Sequence, residues 1–449
     1  MINSLMQVEA APQNRLKSKV STAQSAIASY QAVNAALTSL KGSADSLGQL
    51  STWRGISTTS SSSSVTATAL TGTNGSAGTT TFDVKTLAKS QISTAKVDKS
   101  ADITSANSFT VNVGPGDGSL DEAGKPKDKT VTINLTVKTA QGVADALNAA
   151  GIGVKATVVT TGSAQNILQF SGTKTGSDNA FQIGGELGLS LNPVAPASNA
   201  ELEIGGGEAL GGYNITSDTN TFAKLMPGVS LTVSKLETGV TVTSQQDVGG
   251  IAAKFQAMVD AANATLTQIS SQTSYNPDTK KGSPLTGDFA VRTMSRTILS
   301  KISQGLTYDN PSYDKDLPTD TVTGTNLKQI KFGSLASLGI ELDRSGQMSF
   351  DAAKFTAAYN ANPAAVQQAG IGLGDQFETM AGKMTTTITS VITGRNSEID
   401  TLTSQISNWD VRLASKRTAL QKTYSDLEVS LGKLKNQSSW LAGQLGGLG

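Results

Sequence analysis

Nothing in this sequence restricts its fold more than the apolar repeat that closes it. Ile399, Leu402, Ile406, Trp409 and Leu413 recur at alternating steps of three and four, and Lys416 and Leu420 hold the phase. Tyr424, Leu427, Leu431, Leu434, Leu441, Leu445 and Leu448 carry the repeat onward after a slip between Leu420 and Tyr424, with Ser438 filling one step. No proline occurs after Pro363. A repeat of this length predicts a coiled-coil helix, because it lines one face with apolar side chains. The slip reads as a stutter, which locally unwinds a supercoil.

The first fifty residues carry a second seam. Leu16, Val20, Ala23, Ile27, Tyr30, Leu37, Leu40, Ala44 and Leu47 fall at helical steps, with polar Asn34 at the missing one. Asn34 has two readings of equal weight: a register-fixing seam residue, or a position facing solvent. Neither stripe can be buried by the helix that bears it. The simplest solution packs the two ends of the chain together and leaves the middle as an insertion. Burying one seam leucine contributes roughly 1.5–3 kcal/mol. The C-terminal stripe runs on to Leu448, and helix ends without a neighbour fray, so a partner chain is expected there.

The middle has a different period. From Ile56 the chain is rich in Ser and Thr, with alternation at Val65, Ala67 and Ala69 and again at Phe82, Val84 and Leu87. Glycines at 72, 75 and 78 punctuate it, which predicts antiparallel strands and turns. The run Ser60–Ser64 could be a linker, but its position ahead of the alternating residues favours a polar strand or strand entry. Phe109–Val113 and Val131–Val137 predict two strands around an exposed Gly114–Lys129 loop. Thr139 predicts the N-cap of a helix ending at Gly151, and a hairpin of Val154–Val158 with Ile167–Phe170 follows. This is a small β-β-α-β-β unit. Strand signals resume from Pro193 to Val248, with turns at Gly205–Gly207 and Gly211–Gly212. Helices are expected again on Ile251–Leu266 and Phe289–Ile302. An irregular loop with Tyr308, Pro311, Tyr313 and Pro318 follows, then a hairpin between Leu338 and Phe350 turning at Ser345-Gly346. The fold class is therefore multidomain α+β, with a terminal helical coiled-coil or bundle leg and inserted β-rich head domains.

Composition narrows the function by exclusion. With no Cys and no His, thiol chemistry, disulfides, thiolate metal sites and imidazole bases are all unavailable. The 36 basic and 35 acidic residues nearly cancel, so no electrostatic footprint for nucleic acid or anionic membrane exists. No stretch has the apolar length of a membrane span, and no charged start followed by an apolar run marks a cleaved signal peptide. Carboxylates could still do chemistry, but Asp117, Asp121 and Glu122 sit in the polar loop with no apolar setting to tune them. Gly370, Gly372 and Gly374 imitate a phosphate loop without its preceding strand, and read as a break between helices. Asp343 and Ser345 are too sparse for a calcium loop. No enzyme, metal or cofactor is expected.

Several local motifs, in order, narrow the reading. Leu5-Met6-Gln7-Val8-Glu9-Ala10-Ala11-Pro12 and the Leu16–Leu40 seam are similar to the opening helix of the flagellar hook-associated protein 2 family, the filament cap. Phe82-Asp83-Val84-Lys85-Thr86-Leu87-Ala88-Lys89-Ser90-Gln91 resembles its first-strand motif. Gly282–Arg292, with Gly287-Asp288, resembles the loop and helix that precede its hairpin-helix motif. That motif is matched by Leu338-Gly339-Ile340 through Asp343, Gly346, Phe350-Asp351 and Lys354-Phe355, followed by Asn362-Pro363. The ending Gly443-Gln444-Leu445-Gly446 is also similar. Residues 99–194 match least, apart from their β-β-α-β-β plan and Thr175-Gly176 with Asn179. The family's usual glycine-containing segment ahead of its Leu-Met helix has no counterpart before Leu5.

The resemblance implies an exported, oligomeric protein at the distal tip of the flagellum, outside the cell, that helps flagellin polymerise. Implied partners are further copies of the chain, flagellin, other hook-associated proteins and a cytoplasmic export chaperone, with no nucleic acid and no membrane insertion. The expected domains are a leg segment at 1–25, a helical and hairpin domain at 26–55 and 248–398, a β-rich head at 56–98 and 195–247, a small α+β head at 99–194, and a coiled-coil leg at 399–449. Oligomer and filament contacts are expected at Leu16, Val20, Ile27, Tyr30, Leu37, Leu402, Ile406, Leu420, Leu427, Leu431, Leu434, Leu441 and Leu445.

Rival readings remain. A head rich in Ser, Thr and Asn could hydrogen-bond glycans, making the protein a surface adhesin. Phe109, Phe170, Phe181 and Tyr213 are expected in the core, however, which leaves no aromatic platform for sugars. Flagellin or another hook-associated protein would share the helical ends, and the motifs around Phe82 and Leu338 favour the cap.

Overall fold

The computed structural model describes residues 2–70, 75–114, 129–161, 165–319 and 326–446. The chain forms two compact units: Met1–Trp53 with Val248–Gly449, and Arg54–Asp247. The chain opens with α1 (Ile2–Glu9), α2 (Ala11–Gly48) and the short α3 (Leu50–Trp53). Pro12 in the first turn of α2 separates it from α1, since proline lacks the N–H that a continuing helix needs. The seam is buried from Ala23 to Leu47, but Val33 occupies the step assigned to Asn34. Asn34 is partly covered, and its Oδ1 has no hydrogen-bond partner among the described residues.

Among its described residues the unit Arg54–Asp247 holds fifteen strands and one α-helix. They are β1 (Ile56–Ser60), β2 (Val65–Ala69), β3 (Gly78–Thr86), β4 (Ile92–Asp98), β5 (Ser108–Val113), β6 (Lys129–Asn134), α4 (Ala140–Ala150), β7 (Val154–Val159) and β8 (Gln165–Gly172). There follow β9 (Phe181–Ile183), β10 (Asn192–Ala195), β11 (Ala200–Ile204), β12 (Tyr213–Ser217), β13 (Thr221–Met226), β14 (Val229–Val233) and β15 (Glu237–Gln246). Alternating residues give each strand one apolar face, and two separate cores result. One gathers Phe82, Leu202, Phe222, Leu231 and Val242 between the sheet β1-β15-β3-β11-β12 and the sheet β13-β14-β2. The other gathers Phe109, Val111, Leu147, Leu168 and Phe170 around α4, the sheet β10-β4-β8-β7 and the sheet β6-β5-β9.

Sheet pairing draws the boundary between these cores differently from the expected domains. Strand β4 lies in the stretch assigned to the first head, yet it pairs with β8 over Ile92–Asp98 and buries Ala95 and Val97 in the second core. Alternation gives a strand its faces but not its partner, which is why the sequence misplaced it. The serine run divides: Ser60 ends β1, and Ser61–Ser64 turn toward β2. There the Ser62 hydroxyl donates to Glu237 (2.5 Å), and with the Ser64 hydroxyl it holds that carboxyl below its usual range. The α4 reading holds, with Thr139 accepting from the Gly142 N–H at the start and Gly151 at positive φ at the end.

The second half of the helical unit contains α5 (Val248–Thr273), β16 (Tyr275–Asn276), β17 (Lys281–Gly282), α6 (Phe289–Ser303), β18 (Leu306–Asp309), β19 (Gln329–Gly333), β20 (Ile340–Leu342), β21 (Met348–Phe350), α7 (Ala352–Ala361) and α8 (Pro363–Gly446). Tyr308, expected in a loop, lies in β18 and is buried. The core of this unit joins Leu37, Leu40 and Leu47 of α2 to Phe255, Ile298, Phe355 and Phe377. Trp53, Phe255, Phe350, Phe355 and Tyr359 form a chain of ring contacts within it.

Helix α8 runs unbroken for 84 residues, so the glycines at 370, 372 and 374 do not interrupt it. They serve close approach instead. A Cβ on Gly370 would meet the Trp53 ring, one on Gly372 would meet Tyr308, and one on Gly374 would meet the backbone of Ala44 and Gly48. The cost of glycine inside a helix, about 1 kcal/mol against alanine, is outweighed by the packing that only glycine permits.

Candidate functional site

The expected contact residues fall into three environments. Tyr30 and Leu37 lie inside the helical core, with Leu37 at 0% exposure, Ile27 is buried as well, and the three present little or no surface to another chain. This corrects their assignment: α2 spends that part of its seam on α8 and α5. Leu402 is also buried. Leu16, Val20, Ile406 and Leu420 are half-buried. Leu427, Leu431, Leu434, Leu441 and Leu445 are 51–66% exposed. Leu448 lies outside the described residues.

The half-buried zone is held by polar clamps. Gln13, itself buried, donates through Nε2 to Asp410 Oδ1 (2.5 Å) and to the Ile406 carbonyl (3.3 Å). Lys416 pairs with Glu9 at 3.4 Å, and Arg417 Nη2 donates to Asn3 Oδ1 at 2.9 Å. These fix the register of α1 and the start of α2 along α8, although exposed pairs of this kind each contribute at most about 1 kcal/mol. Nearer the core, the Tyr30 hydroxyl donates to Asp288 Oδ2 (2.5 Å), and Asp288 Oδ1 caps α6 by accepting from the Val291 N–H. Burial, reinforced by the Asp288 hydrogen bond, pushes Tyr30 up to about 12.

Beyond the clamps α8 continues as a polar helix with an open apolar face. Sequence reasoning found its leucines but missed Val411, Val429 and Trp440, which are also exposed. Trp440 adjoins seam residue Leu441, and a tryptophan in so polar a helix is the signal that could have found it.

Asp117, Asp121 and Glu122 lie outside the described residues. Asp343 Oδ1 accepts from the Ser345 hydroxyl (2.6 Å) and from the N–H groups of Ser345 and Gln347 (both 2.8 Å). These bonds, the Ser345 hydroxyl foremost, hold its carboxyl below the usual range. It closes the β20–β21 turn. Among the described residues no group of three or more acidic side chains is placed to hold a metal ion. Phe109, Phe170 and Phe181 are buried as expected, whereas Tyr213 is half exposed.

Helical ends bracketing β-rich insertions, with an open apolar helix face as the distinctive surface, are the architecture of a protein built for contact with other chains. Sequence comparison gives the family. Residues 1–91 match the model of the flagellar hook-associated protein 2 N-terminus, and residues 197–436, more than half of the chain, match that of its C-terminus. The chain belongs to the flagellar hook-associated protein 2 family. It is 24% identical to flagellar hook-associated protein 2 of Escherichia coli (strain K12), over 99% of this chain and 95% of that one. It is 23% identical to the Salmonella typhimurium (strain LT2) protein of the same name, over 72% of this chain and 70% of that one. Its fold is similar to the crystal structure of the D1-D2-D3 domains of the flagellar cap protein FliD from Escherichia coli. That comparison has a TM-score of 0.58 at 24% identity, over 82% of this chain and 99% of that one.

Proposed function

We propose that this chain caps the flagellar filament as an oligomer and promotes flagellin polymerisation at the distal end. Family membership supports this reading, and the observation that carries it is the exposed row Leu427, Leu431, Leu434, Leu441 and Leu445. In water that row stays uncovered at a cost, and burying a leucine stabilises by roughly 1.5–3 kcal/mol. A flagellin monomer reaching the tip must fold where its own helical ends can pack against earlier subunits. Legs bearing apolar seams would cover the equivalent surface until one shifts and opens a vacancy. Exchange of this kind needs weak contacts. The Ala and Thr that dilute the N-terminal seam, and the polar clamps near Gln13 and Lys416, supply them.

The same reading places the protein outside the cell, exported through the flagellar channel. Its partners are then further copies, flagellin, neighbouring hook-associated proteins and an export chaperone in the cytoplasm. The adhesin alternative gains nothing from the comparisons or from the buried phenylalanines. The test is a strain whose only copy lacks Leu420–Gly449. Export of flagellin into the medium without filament growth is expected; filaments of normal length would overturn the reading.

A further inference from the structure

A groove in the helical unit has no role in the function described so far. It runs between α6 and the core stretch of α8, with β18 at one end. Two joined hollows of about 660 and 600 Å³ make it up, sharing Lys301, Asp309, Asp375 and Gln376. Its floor is Met294, Met380 and Met384, side chains whose flexible thioethers adapt to varied apolar partners. Threonines form the rim. Within the methionine-floored hollow, the junction with the other hollow carries two carboxylates, Asp309 and Asp375, against the single ammonium of Lys301, and the far end carries Lys383. Among the described residues Lys301, Lys383 and Asp375 form no ion pair. Asp375 and Lys383 stand eight positions apart on one helix, roughly 12 Å along its axis.

We propose that this groove receives the exposed Leu427–Lys435 segment of α8 from a second copy of the chain. An amphipathic helix laid in an apolar groove is a recurrent docking mode. The segment has the matching charge order: Glu428 and Lys435, seven positions apart, are separated by about 10 Å. With Leu431 over the methionines, Glu428 reaches Lys383 and Lys435 reaches Asp309 and Asp375. The two ends of the groove therefore select one direction of the helix. The occupant cannot come from the same chain. Groove and segment lie on one unbroken helix, and Met380 to Leu431 is roughly 75 Å of it.

The inference rests on reading the leucine face as a contact surface, and its test separates the two. The chain has no cysteine, so introduced ones react alone. Full-length Thr379→Cys, at the groove rim, is mixed with full-length Leu431→Cys and treated with a short bismaleimide; Lys254→Cys, on the exposed side of α5, is the control. A 379–431 cross-link between different chains, with none from 254 to 431, is expected. Lys383→Glu should lower its yield about threefold, the scale of one exposed ion pair, and Glu428→Lys in the other chain should restore it. Cross-links from 431 to 431 alone would mean that the tails pair with each other and would overturn the groove. Oligomers without any link to 379 would overturn the groove and leave the contact face standing. A monomer with no links would overturn both.

Discussion

Helix α8 is one continuous element that lives in two settings. Between Val366 and Ile388 nearly all its apolar residues, Leu373 and Phe377 among them, are buried against α2, α5 and their neighbours. From Leu427 to Leu445 the same step of three and four leaves every leucine more than half exposed. Periodicity and residue type are shared by both stretches, so neither decides the outcome. What differs is the presence of a second helix within the chain. A heptad stripe states that a partner is needed, not which molecule supplies it.

Mutations can break this contrast at either end. The largest effect is expected from Phe377→Ala, which should cost about 3–5 kcal/mol by opening a cavity in the core, read as a fall in the denaturation midpoint. Gly374→Ala should cost about 1–3 kcal/mol, because its methyl would press on the Ala44 and Gly48 backbone. A melting curve matching the parent would contradict the close-approach role. Asp288→Ala removes the α6 cap and the Tyr30 partner together, and about 1–2 kcal/mol should be lost by the same measurement. Leu431→Ser, by contrast, should change stability by no more than about 0.5 kcal/mol.

The smallest effect is electrostatic and has a definite sign. Burial, then the carboxylates of Glu378 and Asp45, push Asp375 above its ordinary range. A carboxyl raised in the folded state binds its proton more tightly there than when unfolded. It therefore disfavours folding at neutral pH, and the penalty disappears as pH falls below its unfolded value. Asp375→Asn should melt slightly higher than the parent at pH 7, and the gap should close on acidification. A gap that widens in acid would contradict the assignment.

Much of the fold was legible before the structure, and the misses share one cause. The helical ends, the α4 caps at Thr139 and Gly151, and the Ser345-Gly346 turn depend on neighbours within a few residues, and sequence carries that information directly. Gly370, Gly372 and Gly374 look like a loop because glycine disfavours helix, while their reason, contact with Trp53, Tyr308 and Gly48, lies far away in the chain. Strand β4 was misplaced for the same reason. The contact face shows it most clearly: Leu37 and Leu431 sit in indistinguishable patterns, and only tertiary structure separates the buried one from the exposed one.

The most direct test is the mass in solution of the purified full-length chain beside a variant with Leu427, Leu431, Leu434 and Leu441 all changed to Ser. The parent should sediment as an assembly well above its 46.1 kDa chain mass, and the variant should melt like the parent yet fall toward the monomer. A parent that is already monomeric, or a variant that keeps the parent's mass, would contradict the claim that this exposed face works between chains.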